Sequence, residues 1–211
     1  MRKFFEIGGL VAAAILIAFG VTAIVMGVNG RSTVQDSLKL EQIVGSPDMS
    51  PSAIAAEAKK AGLPASVDLP TVDVAGKPID TGDRARAFAS YMRIHTLEAT
   101  GGVPYAQMPR FATADGKGTN DATKALQANG RPVDNAARNI WVTETALTTA
   151  LNTSYMAEQL ALFGIVVGVA LLLAGIGFGI LAIGGALRNP DSVLTSASRK
   201  PQASAKAVQT V

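Results

Sequence analysis

Apolar residues are spread unevenly along this chain. They fill residues 7–28 and 160–187 without a single charge, and elsewhere they recur singly at helical spacing. The first run is 22 residues long and the second 28. At about 1.5 Å per residue, either run exceeds the roughly 30 Å of a bilayer's hydrocarbon core. The first run also invites comparison with a cleaved signal peptide, since Arg2 and Lys3 precede it. A signal's apolar stretch covers only about 7–15 residues and ends at a small-x-small site. This run is longer and closes on Val28-Asn29-Gly30-Arg31. The pattern therefore predicts a mainly α fold. Two transmembrane helices, 7–28 and 160–187, hold a small helical extracytoplasmic segment, 29–159, between them. The second span ends where Arg188-Asn189-Pro190 brings charge and a helix breaker together. Residues 1–6 form a short flank, and the Ser-, Ala- and Lys-rich tail 188–211 reads as disordered.

Both apolar runs carry ordered small residues. At about 100° per residue, Gly9, Ala13, Gly20 and Gly27 share one face of the first run. Gly164, Gly168, Gly175 and Gly179 share one face of the second. Small side chains let helix backbones approach closely, and in lipid that close contact replaces the missing hydrophobic drive. Gly and Ala are also simply common in membrane helices. The stripes predict pairing of the two spans or of protomers, so the expected partners are the lipid bilayer and a protein partner or a second copy of this chain. Neither run holds an embedded charge, which argues against a proton relay or ion path within one subunit.

Between the runs the periodicity is that of soluble helices. Residues 31–44 read as a helix rising from the first span, with Asn29-Gly30 as a point of interruption. Ser50 and Pro51 supply an N-cap and a first helical residue, and Gly62 with Pro64 ends that short helix. Residues 63–80 hold three prolines and predict a loop with short extended stretches. A helix over 81–99 is capped by Thr81 or Asp80 and stopped by Gly101-Gly102, with Phe88, Tyr91, Met92 and His95 on one face. Residues 101–133 predict a long loop with one helical turn near 122–127. Residues 134–159 predict a helix feeding into the second span, with a stripe of Ala137, Ile140, Trp141, Glu144, Leu147, Leu151, Tyr155 and Glu158. The helices over 31–44, 82–99 and 134–159 are expected to pack as a small bundle. Trp141, Tyr91 and Tyr105 are its expected aromatic core.

Charge adds an orientation. Arg2 and Lys3 precede the first run, and Arg188, Arg199 and Lys200 follow the second; on the other side Arg31 stands against Glu158. The positive-inside bias over such short flanks places both termini in the cytoplasm and 29–159 outside a plasma membrane. The segment 29–159 carries 13 Lys/Arg and 14 Asp/Glu with no basic patch among aromatics, so nucleic acid is not an expected partner. Cysteine is absent, which removes disulfides, thiolate metal sites and a thiol nucleophile.

The candidate chemistry is sparse. His95 is the one histidine and forms a His-x-x-Glu pair with Glu98, while Glu144 interrupts an apolar stripe. A metal site built from His95, Glu98 and Glu144 across two helices is the boldest reading. A buried polar network, with His95 meeting Glu144 or Arg93 meeting Glu98, is the plainer one. One imidazole rules out a two-His-one-carboxylate iron site or a three-His zinc site within one chain. No phosphate-binding loop or dinucleotide fingerprint occurs, and Gly116-Lys117-Gly118-Thr119 reads as a turn.

Residues 91–102 and 139–168 resemble those of uncharacterised two-span membrane proteins of actinobacterial genomes, a resemblance that implies the architecture and no particular activity. The expectation is a non-enzymatic cell-envelope protein, an interaction or accessory subunit without a cofactor or resident metal. The alternatives are a two-span ligand sensor acting through a partner, and a membrane-bound metal enzyme using His95, Glu98 and Glu144.

Overall fold

The computed structural model describes residues 2–184; the expectations for the tail 188–211 and for the last residues of the 160–187 run lie outside the described residues. Among the described residues the chain is mainly helical. In order come α1 (Arg2–Leu40), α2 (Pro51–Lys60), α3 (Gly82–Ala99), a 3-10 turn at Tyr105–Gln107, the strands β1 (Gln127–Ala128) and β2 (Arg131–Pro132), and α4 (Ala136–Ile183). The chain divides into two units. One holds residues up to Met26 and from Gly164 onward, and the other is Gly27–Phe163.

In the first unit, α1 and α4 are long and apolar enough to cross a membrane, and only 17% of each apolar window is buried. A core helix of a soluble protein would be mostly covered. Here large apolar side chains such as Phe19, Leu173 and Ile180 are exposed. The covered side is built from small residues, Ala13 and Gly20 among them. A Cβ added at Gly20 would stand 2.7 Å from the backbone nitrogen of Leu172 and 2.8 Å from the carbonyl oxygen of Gly168. One at Gly168 would stand 2.8 Å from the Gly20 oxygen, and one at Gly175 would stand 2.9 Å from the Ile17 nitrogen. These separations are too short for any side chain, so backbone meets backbone at these positions. Gly164 and Gly179 lie at ordinary contact distance, 3.8 Å from Ala23 and Ala13 atoms. Gly27 is buried and Gly9 half-buried.

In the second unit, α1 continues without a break through Asn29-Gly30 to Leu40. The expected interruption does not occur, because a single glycine costs a helix only about 1 kcal/mol; here a Cβ at Gly30 would be 3.6 Å from the Ala161 side chain. The helix ends four residues earlier than expected, and Gln42 takes a positive φ of 52°. The following strand-like segment pairs its backbone with residues 74–79: Gly45 N–H donates to Lys77 O, Gly76 N–H to Gly45 O and Ile79 N–H to Ile43 O. Ser50 caps α2 by accepting from Ala53 N–H. Gly62, at φ 69°, closes it, with its own N–H bonded to Lys59 O and that of Leu63 to Ala58 O.

Thr81 caps α3 as expected, and Gly101 and Gly102 end it at positive φ. The core gathers Leu38 of α1, Ile54 and Ala58 of α2, Ala85, Phe88, Tyr91 and Ile94 of α3, and Leu151 of α4, with Val74 and Ile79 from the connection. Two expectations need correction. Residues 122–127 form no helical turn. Asn129 and Gly130, both at positive φ, instead close a two-residue hairpin between β1 and β2, the turn geometry that an Asn-Gly pair favours. Tyr105 is 42% exposed and lies outside the core, whereas Tyr91 and Trp141 are buried.

The helix contact in the first unit yields a test. Gly168→Val is expected to lower the thermal stability of the detergent-solubilised chain by about 1–3 kcal/mol, the usual range for overpacking. Gly177→Val, at a position with open space around it, serves as the control and should melt near the wild type. Equal melting of the two variants would show that the close approach is absent.

Candidate functional site

Glu158 is the most constrained charge of the second unit. It projects from α4 and is 6% exposed. One carboxylate oxygen accepts from Arg31 Nε at 2.8 Å and from Gln35 Nε2 at 2.9 Å, both on α1. The other accepts a short hydrogen bond from the backbone N–H of Gly82, the first residue of α3, where the helix dipole favours negative charge. Burial pushes the Glu158 carboxyl up, but the hydrogen bonds from Arg31, Gly82 and Gln35 together with the Arg31 charge outweigh it. The net direction is below the ordinary glutamate value. Gly82 is part of the arrangement: a Cβ there would stand 2.9 Å from the Tyr155 Cα. Glu158 belongs to the expected stripe on α4. Its pairing with Arg31, which the flank pattern sets against it, is what the folded chain adds.

A second polar cluster surrounds His95, and its partners differ from those expected. His95 Nε2 lies 3.1 Å from Asp48 Oδ2 and 3.7 Å from Glu57 Oε2. The ligand atoms of these three residues all fall within 4.8 Å of one another. Asp48 sits in the turn before α2, closed by Met49 N–H donating to Ser46 O, and Glu57 sits on α2. Asp48 Oδ1 accepts a short hydrogen bond from the Ser46 hydroxyl. That bond, its own backbone N–H and the nearby imidazole hold the Asp48 carboxyl below its usual value against the opposing effect of burial.

Glu98 and Glu144 do not join this group. Glu98 is exposed on α3. Glu144 is 5% exposed, takes a hydrogen bond from the Thr145 hydroxyl at 3.3 Å, and lines a cleft with Arg86 and Arg93. Among the described residues the side chains brought within ligand distance of one another are Asp48, Glu57 and His95, not the expected candidates His95, Glu98 and Glu144. A local signal for Glu57 existed: it lies three residues after the buried Ile54 and one before the buried Ala58. Asp48 carried none, because only the folding of the 46–49 turn against α3 brings it near.

The aromatics act as supports. Trp141 Nε1 donates to Val103 O at 3.1 Å and Tyr91 Oη to Val72 O at 3.1 Å. Arg138 lies 4.1 Å above the Tyr105 ring, Arg86 4.7 Å above Tyr155, and Arg93 5.4 Å above Trp141. An open apolar groove is lined by Tyr105, Trp141, Val142, Thr145, Ala146 and Thr149. The segment at Gly116–Thr119 is a turn, with Gly116 and Gly118 at positive φ and Gly118 N–H bonded to the Thr113 hydroxyl. Comparison with protein-family models, curated proteins and solved structures finds no match to this chain.

The lowered Glu158 value fixes the sign of a pH effect. A carboxylate held below its unfolded value near 4.3 contributes stability that is fully present above that value and is lost as pH falls through the folded one. Glu158→Gln is expected to cost about 1–3 kcal/mol at pH 7, the penalty of disturbing a buried charge-assisted hydrogen-bond set. The difference from the wild type should shrink as pH drops below about 4. Thermal melts of both chains from pH 7 to 3 measure this, and a difference that stays constant over that range would contradict the assignment.

Proposed function

We propose that the chain is a two-pass plasma-membrane protein with both termini cytoplasmic and residues 29–159 extracytoplasmic, where the helical unit serves as a non-enzymatic interaction module of a larger envelope assembly. The carrying observation is the exposure of two apolar helix surfaces: only 17% of each spanning window is buried inside the protein. Water does not stabilise so much apolar surface, and lipid does. The Arg31–Glu158 pair supports the orientation. It neutralises the one basic residue next to the first span on the outer side, leaving Arg2, Lys3 and Arg188 as the positive flanks that decide topology. The apolar groove at Tyr105, Trp141 and Val142, together with Ile140 and Val142 exposed on α4, supports a protein-contacting role for the outer unit.

Because the chain lacks cysteine, single introduced cysteines report topology cleanly. Lys117→Cys is expected to react with a membrane-impermeant maleimide in intact cells, and Ser204→Cys only after lysis. The reverse pattern would invert the orientation, and recovery of the chain in the soluble fraction would remove the membrane reading altogether. A photo-crosslinker at Val142 should capture a neighbouring protein or a second copy of this chain in native membranes. Absence of any protein adduct would refute the interaction role while leaving the topology intact.

A further inference from the structure

We infer that Asp48, Glu57 and His95 form a binding site for a divalent transition-metal ion, with zinc the best match, which staples the turn before α2, α2 itself and α3 together. The inference stands independently of the membrane topology.

Three observations carry it. The first is the donor set: one imidazole nitrogen and two carboxylate oxygens, the mixture that zinc and its neighbours accept. Calcium and magnesium sites are built from oxygen alone, so the imidazole disfavours them. The second is spacing. A tetrahedral ion with bonds of about 2.0–2.1 Å holds neighbouring ligand atoms about 3.3 Å apart. His95 Nε2 stands 3.1 Å from Asp48 Oδ2 and 3.7 Å from Glu57 Oε2, on either side of that value. The third is independent of proximity. Among the described residues, His95 Nε2 and Glu57 Oε2 are buried atoms that make no hydrogen bond. At 3.1 Å the imidazole and Asp48 are close enough to bond, yet they lack the alignment of a donated N–H. Buried polar atoms without partners are costly, and a cation held between Asp48, Glu57 and His95 would satisfy both.

The ligands also come prearranged. Asp48 Oδ1 is held by the Ser46 hydroxyl, which leaves Oδ2 turned toward the imidazole. Ser50 caps α2 and so fixes where Glu57 falls about two turns later. Three protein ligands leave a fourth position for water. The site joins segments separated by more than thirty residues of loop and helix, so the ion would add stability by binding the folded chain alone.

Calorimetric titration of the metal-free full chain in detergent with zinc chloride at pH 7.5 tests this. One ion per chain is expected, with a rise in melting temperature on binding. Changing an outer-shell partner alone weakens metal affinity by about 10–100-fold, so Asp48→Asn, Glu57→Gln and His95→Gln should each weaken zinc at least that much. Glu98→Gln, one turn along α3 on the exposed side, should bind as the wild type does. Asp48 and Glu57 are partly exposed, so their variants should fold, and their metal-free melting checks that. No saturable binding, or binding that survives Asp48→Asn and Glu57→Gln in folded protein, overturns the proposal. The same holds if His95→Gln alone reduces it, since that would leave the carboxylates without a role.

Discussion

A carboxylate can be buried only where enough donors meet it, and Glu158 collects its donors from two other helices at once. Arg31 and Gln35 reach it from α1, and the first N–H of α3 reaches it at Gly82. Sliding any of these helices by a turn would strand a buried charge, a loss of several kcal/mol. The contact therefore sets the register of the second unit more sharply than apolar packing alone, which tolerates small shifts. It also dictates a glycine at position 82, since a Cβ there would press on both Tyr155 and Glu158.

The rest of that unit is consistent with a chain poor in aromatics. Only 5% of its residues are Phe, Trp or Tyr, so few large side chains are available to fill a core. Alanines at 85, 87 and 89 are buried on α3 instead, and Tyr91 and Ile94 are the large side chains fully covered there. Irregular segments complete the structure: residues 43–45 and 74–79 clasp each other through backbone hydrogen bonds. The turn at 46–49 follows directly from that clasp, and it presents Asp48 to His95. A polar cluster thus arises at the place where loop and helix are pinned together.

The first unit uses the same device in apolar form. Gly20, Gly168 and Gly175 allow contact between α1 and α4 that side chains would prevent, while the large residues Phe19, Leu173 and Ile180 are turned outward. Such an arrangement inverts a water-soluble protein, in which the bulky apolar side chains would be inside. The proposal of a lipid environment rests on this inversion.

Much of this was legible in the chain itself. The two apolar runs, the caps at Ser50 and Thr81, the stops at Gly62 and Gly101-Gly102, and the α4 stripe apart from Ile140, which is exposed, are set by neighbouring residues, because helix propensity, capping and hydropathy act over one or two turns. The Asn-Gly hairpin at 129–130 carried a local signal too, though the expectation of a helical turn at 122–127 passed over it. The continuity of α1 through Gly30 needed tertiary support, since propensity alone marks Asn29-Gly30 as a weak point. The pairing of Arg31 with Glu158 spans 127 positions, and that of His95 with Asp48 joins a helix to a distant turn. No local rule selects such partners. Only the packed structure decides which charges share a buried space, because that depends on how the helices meet.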